Sequence, residues 1–147
     1  MKSGPFNILL VEDNQDHIEL INRSFKEVNA VNRLNTVHDG QAAIDYLFHR
    51  TPYTDTDKHP RPDVILLDLR MPKLDGLEVL QKIKSDDMLR SIPVIILTSS
   101  AADQDIMQAY KNYANSYLVK PVDHENFSKM LLKLEQYWLD WNRYPRV

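Results

Sequence analysis

At 147 residues with a net charge of -3, the chain has the length of one domain and lacks the basic balance that nucleic-acid binding calls for. It contains no cysteine, which excludes disulfides and thiolate metal ligands and fits a reducing cytoplasm. No apolar run approaches the ~20 residues that span a bilayer, and the N-terminus lacks the layout of a signal peptide, so no membrane association is expected.

Apolar strand runs alternate with helical patterns along the chain, which predicts an α/β fold with a parallel sheet and helices on both faces. Strand one is Ile8, Leu9, Leu10 and Val11, and it ends in two acids, Glu12 and Asp13. Ile18, Leu20, Ile21 and Phe25 give the helical stripe that follows, from about residue 16 to 27. A weaker strand over about 34–37 leads to a short helix carrying Ala43, Ile44, Tyr46 and Leu47. The segment from Arg50 to Pro62 holds three prolines, several charges and no apolar period, so it reads as a long exposed loop.

Strand three, Val64 to Leu67, is four consecutive apolar residues, the pattern of a strand buried on both faces, and Asp68 follows at its carboxyl end. A helix after Gly76 carries Leu77, Val79, Leu80 and Ile83. Strand four, Val94 to Leu97, ends in Thr98, Ser99 and Ser100. The next helix presents Ile106, Met107, Ala109, Tyr110 and Tyr113 before strand five, Tyr117 to Val119, which ends in Lys120 and Pro121. Asp123 is a good N-cap for the last helix, whose stripe runs from Phe127 through Leu134 to Trp138 and Trp141. One domain over 1–147 is expected, with the exposed loop at about 50–62 and a C-terminal helix extension at about 135–147. The five histidines (His17, His38, His49, His59, His124) show no ligand spacing and are expected to be mostly solvated.

In open parallel sheets the chemistry sits outside the carboxyl ends of the strands. Glu12, Asp13 and Asp68 therefore meet if strands one and three are neighbours. One like-charged pair at ~4 Å costs on the order of 4 kcal/mol at an effective dielectric near 20. Protonation or a cation relieves that repulsion, and Mg²⁺ suits a site of one or two carboxylates with open positions for phosphate. Lys120 at a nearby strand end favours ionised carboxylates. A carboxylate nucleophile beside a metal and an amine is an arrangement for phosphoryl transfer, with Asp68 as the attacking group and Thr98 as a hydroxyl donor to a phosphoryl oxygen. Each residue alone reads as a helix cap or a solvated side chain. Their convergence on one edge is what carries the chemistry.

Glu12-Asp13, Asp68 with Met71-Pro72 and Asp75-Gly76, Thr98-Ser99 and Lys120-Pro121 stand in the order found in response-regulator receiver domains. The chain resembles that family from about Phe6 to Leu134. The resemblance implies a five-stranded doubly wound sheet in the flavodoxin-like order 2-1-3-4-5. It implies Asp68 as phosphoacceptor, and Asp13, Asp68 and the Arg70 backbone carbonyl as Mg²⁺ ligands, with Glu12 holding the metal through water. Thr98 and Tyr117 become the switch pair, Lys120 the phosphate-contacting lysine, and the Lys120–Pro121 bond a cis peptide. A glycine common in the family is Tyr113 here, so the approach to strand five is expected to be reshaped.

The function implied is a stand-alone phosphoacceptor rather than an enzyme acting on other substrates. A sensor histidine kinase would donate the phosphoryl group, and an unknown protein would read the resulting conformational change. The inserted loop and the aromatic C-terminus are similar to those of regulators paired with phytochrome kinases. A haloacid-dehalogenase phosphatase would need a general acid where Arg70 stands, and Glu12-Asp13 would repel the phosphate of a flavodoxin-type cofactor. A pseudo-receiver that only binds partners would not need the full set of phosphorylation residues. Tyr137, Trp138, Trp141 and Tyr144 crowd the terminus, and aromatics of this kind dominate interface hot spots, so a homodimer is expected there.

Overall fold

The computed structural model describes residues 5–28 and 32–143. Five strands, β1 (Asn7–Val11), β2 (Arg33–Val37), β3 (Val64–Leu67), β4 (Val94–Thr98) and β5 (Ser116–Val119), form one sheet in the order β2-β1-β3-β4-β5. Every pairing is parallel, as the strand–helix alternation requires. Between them run α1 (Gln15–Val28), α2 (Gly40–Leu47), α3 (Gly76–Ser85) and α4 (Asp103–Lys111), with α5 (His124–Glu135) closing the series. Among the described residues no helix is long and apolar enough to cross a membrane.

Successive strand residues point to opposite faces, so the continuous apolar runs of β1, β3 and β4 supply two cores. Leu9, Val11, Ile65, Leu67, Val94 and Ile96 meet residues of α2, α3 and α4 on one face. Ile8, Leu10, Val64, Leu66, Ile95 and Leu97 meet α1 and α5 on the other, through Ile18, Ile21, Phe25, Phe127, Leu131 and Leu134. The centre of the sheet is accordingly buried throughout, while β2 and β5 are the half-exposed edges.

Both Asp-Gly pairs do double duty. Asp39 and Asp75 are N-caps whose carboxylates accept from the backbone N–H of Ala42 and Glu78 at 2.7 and 3.0 Å. The glycine after each lets two backbones touch. A Cβ on Gly76 would lie 2.3 Å from the Asp68 carbonyl oxygen, and one on Gly40 would lie 1.8 Å from that of Leu74. Asp123 caps α5 as expected, through the Asn126 N–H at 3.0 Å.

The 50–62 segment is a loop and mostly exposed, but it is anchored at several points. Tyr46 and Tyr53 each meet His59 edge to face, at 5.6 and 5.1 Å, and lie tilted against each other at 5.3 Å, Tyr46 donates to the Pro60 carbonyl, and Pro62 is buried. Asn35 donates to the Tyr46 hydroxyl and Arg33 to the Asp57 carbonyl, so this loop is tied to the edge strand β2. Three expectations need correction, the first being a reshaped approach to β5. Tyr113 takes the left-handed φ of 67° that a glycine would take, and closes α4 through Tyr113 N–H to Tyr110 and Ala114 N–H to Ala109 carbonyls. Lys120–Pro121 is trans; the cis peptide among the described residues is Thr51–Pro52. Finally, only Ala109 of the α4 stripe is buried, whereas Met107, Tyr110 and Tyr113 face outward.

The terminal stripe does not continue as one α-helix. After Glu135 the chain forms a π-helical turn, Gln136–Trp141. Trp138 and Leu139 pack on the α1/α5 core, while Tyr137 and Trp141 are 54% and 79% exposed. Tyr144 lies outside the described residues.

Candidate functional site

Strand register builds the site. Val11 pairs with Leu67, so the next residues, Glu12 and Asp68, emerge side by side, and the Asp68 N–H donates to the Val11 carbonyl at 3.1 Å. Carboxylate oxygens of Glu12, Asp13 and Asp68 lie within 4.8 Å of one another, Glu12 and Asp68 buried and Asp13 exposed. On the other side, Thr98 pairs with Val119 and the Lys120 N–H donates to the Thr98 carbonyl at 2.7 Å.

Lys120 is buried and its ammonium donates to Glu12 Oε1, to Asp68 Oδ2 at 3.1 Å and to His17 Nδ1 at 3.0 Å. It is no solvated amine. Removing it would leave two buried acids unpaired, which typically costs about 3–5 kcal/mol. Burial pushes the Glu12 carboxyl up to about 7; Lys120 opposes that rise and the Asp68 charge adds to it. Glu12 does not cap α1. That role belongs to Asn14, whose side chain accepts from the His17 N–H at 3.1 Å.

The donor set, three carboxylates and no nitrogen or sulfur ligand among them, fits a hard divalent cation with oxygen preference. Thr98 stands at the carboxyl end of the neighbouring strand β4. Its hydroxyl is fully buried and finds no hydrogen-bond partner, a state that costs about 1–3 kcal/mol unless something fills it.

Tyr117 is half-buried on the α3/α4 face, its hydroxyl donating to the Ser100 carbonyl at 2.9 Å. Burial raises its pKa, the Ser100 bond opposing. Ser100 also donates to Asp105, which pairs with the Arg70 guanidinium at 2.6 Å. Arg70 reaches back to the site as well, its backbone N–H lying 3.3 Å from Asp68 Oδ1. A chain of polar contacts thus leads from the Asp68 loop through the start of α4 to Tyr117.

Two participants were invisible in the sequence. The histidines were expected to be mostly solvated, yet the His17 side chain is 25% exposed and rests edge-on against Phe127 of α5. Burial lowers its pKa and Lys120 adds to that. Asp105 gave no signal beyond an acid early in a helix. His49 and His59 are also half-buried.

These features define a receiver domain, and the chain belongs to that family: the model of the response regulator receiver domain matches residues 8–132. It is 46% identical over 142 residues to the probable methanogenesis regulatory protein FilR2 of Methanothrix harundinacea, covering 96% of this chain and 88% of that protein. Response regulator Rcp1 of Synechocystis is 38% identical over 136 residues, 92% of this chain and 90% of its own length. Among solved structures, the phosphorylated cyanobacterial phytochrome response regulator RcpA superposes with a TM-score of 0.92 at 37% identity, covering 97% of this chain and 99% of that one. The Mn²⁺-bound form of Rcp1 gives 0.91 at 37%, covering 97% and 100%.

Proposed function

We propose that this chain is a phosphoacceptor regulator in which Asp68 takes a phosphoryl group from a histidine kinase and passes on a change of shape. The observation that carries the reading is the buried Lys120 ammonium held against Asp68 and Glu12. An Asp68 oxygen attacks phosphorus, forming a P–O bond. The P–N bond of the donor's phosphohistidine breaks, and its electron pair leaves with the imidazole. Lys120 balances charge on the phosphoryl oxygens. Asp13, Asp68 and the Arg70 backbone carbonyl would hold Mg²⁺, with Glu12 acting through water; bound there, the cation neutralises charge on the phosphoryl oxygens. The Mn²⁺-bound form of Rcp1 supports a divalent cation as the ligand.

The phosphoryl group brings a charge of roughly -2 and new acceptors. The unpartnered Thr98 hydroxyl has a use for one of them. Movement of Thr98 would free space for the Tyr117 ring, and the thinly packed α4 would follow.

The test is incubation with acetyl phosphate and Mg²⁺, followed by intact-mass measurement. Wild type should gain one phosphoryl group, while Asp68→Asn and an EDTA-treated sample should gain none. Equal labelling of wild type and variant would remove Asp68 as acceptor.

Phosphotransfer profiling against candidate histidine kinases identifies the kinase partner. RcpA is described as a phytochrome response regulator, which supports a phytochrome kinase; FilR2 carries the name of a methanogenesis regulator, which supports a kinase of another input. Self-association through Tyr137 and Trp141, with Trp138 bracing them from the core, completes the reading. Light scattering should give a dimer that Trp141→Ala weakens by roughly tenfold or more, the effect of losing an aromatic hot spot. A monomer at high concentration in both phosphorylation states would refute it.

A further inference from the structure

Lys120 has three ammonium protons, and the structure gives it three partners. Two are Glu12 and Asp68, acids that the proposed reaction needs for the metal and for attack on phosphorus. The third, His17 Nδ1 at 3.0 Å, has no part in that reaction. An ammonium can only donate. Nδ1 is therefore the acceptor, and the ring carries its proton on Nε2.

The ring is braced from two helices. The His17 N–H bonds the Asn14 side chain at 3.1 Å, which fixes the residue in the first turn of α1. Phe127 of α5 meets the ring edge to face, centroids 5.5 Å apart at 68°. Strand alternation puts Glu12, Asp68 and Lys120 toward this same α1/α5 face, following Leu10, Leu66 and Leu118. Lysine is a point charge on a flexible stem. Tied only to two acids, it would follow whichever carries more charge at a given moment, and a metal shared with those acids changes that balance. A neutral acceptor on a braced ring does not vary in this way.

We infer that His17 is a positioning residue for phosphoryl transfer: its Nδ1 lone pair keeps the Lys120 ammonium beside Asp68 when Glu12 and Asp68 engage a metal and a phosphoryl group. This rests on the reading of Asp68 as acceptor.

A gap-filling ring against Phe127 is the structural alternative, and two variants rank oppositely under the two ideas. His17→Phe keeps the aromatic packing and loses the acceptor. His17→Asn loses the packing and keeps an acceptor where Nδ1 stands. Rates of acetyl phosphate labelling are measured at saturating Mg²⁺ on the full chain, beside thermal midpoints. His17→Phe should slow labelling roughly 3- to 10-fold, a modest part of what misplacing a reacting group can cost, with its thermal midpoint unchanged. His17→Asn should stay within about twofold of wild type on the same scale even if it melts earlier. The ¹⁵N spectrum of metal-free wild type should show Nε2 protonated and Nδ1 bare. The reverse ranking, wild-type labelling by His17→Phe, or a protonated Nδ1 would each overturn the inference. If wild type accepts no phosphoryl group on Asp68, the parent reading falls and this role falls with it, while the tautomer still reports whether the Lys120 contact exists.

Discussion

The two faces of the sheet are packed to different standards. On the α1/α5 face, Phe25, Ile21, Phe127, Leu131 and Leu134 are all buried, and Ser24 donates to the Glu135 carboxylate at 2.8 Å to tie the two helices. On the other face α2 and α3 are equally well seated, but α4 buries only Ala109. Strand parity divides the site along the same line. Glu12, Asp68 and Lys120 belong with the α1/α5 side, and Thr98 and Tyr117 with the side that α4 covers. Groups proposed to hold a reaction geometry stand where many contacts fix them; groups proposed to report it stand beside the helix with least to lose by moving.

The largest test of that difference is truncation in each region. Leu131→Ala, in α5, should cost about 2–5 kcal/mol in urea unfolding, the usual range for a fully buried leucine. Ile106→Ala, half-exposed on α4, should cost about 1 kcal/mol or less by the area it removes from contact. Equal losses would abolish the contrast between the faces.

The next largest effect is electrostatic. Burial raises the Glu135 carboxyl to about 7, with the Ser24 bond opposing and the Glu27 charge adding. A folded-state pKa above the unfolded value near 4.5 means that the native chain binds more protons between these limits. Its contribution is fully present below pH 4.5, is lost as pH rises through about 7, and leaves a constant penalty above. Glu135→Gln should therefore raise stability at pH 8 by roughly 1–3 kcal/mol relative to its effect at pH 4, allowing for solvent relaxation. Thermal midpoints of both proteins across pH 4–8 measure this. Parallel profiles would show that Glu135 ionises freely in the fold. Glu12, also raised to about 7, shapes both profiles alike and cancels in the difference.

The smallest expected effect on stability concerns Thr98. Thr98→Val removes a buried hydroxyl that has no partner, so the unphosphorylated protein should change by about 1 kcal/mol or less, in either direction. Labelling of Asp68 should persist, yet phosphorylation should no longer alter hydrogen exchange in α4. An undiminished exchange response would take Thr98 out of the switch and leave the second face without a sensor.

Much of this was legible in the residues. Parallel strands place their carboxyl ends on one edge, so the identity of the residue after each apolar run is enough to assemble Glu12, Asp68, Thr98 and Lys120 there. Asp39, Asp75 and Asp123 were equally readable as caps, because a cap is a local contact over three residues. Tyr113 was misread for the opposite reason. The backbone kept the left-handed turn and accepted a side chain that this region disfavours, at a cost of about 1–2 kcal/mol.

Chain order and residues a few positions apart were enough for the strand-end residues, the helix starts and the family. Which side of a helix faces inward depended on long-range packing. A stripe of apolar residues on α4 turned out largely solvent-facing because β5, its neighbour, is a short edge strand. Trp138 went to the core and Trp141 to the surface because the chain changes to a π-helical turn after Glu135, rotating what had looked like one stripe. His17 met Lys120 across a separation of 103 residues. No local pattern encodes such a contact. It exists because α1 and α5 pack on the same face of the sheet, bringing the first turn of one helix over the strand end that precedes the other.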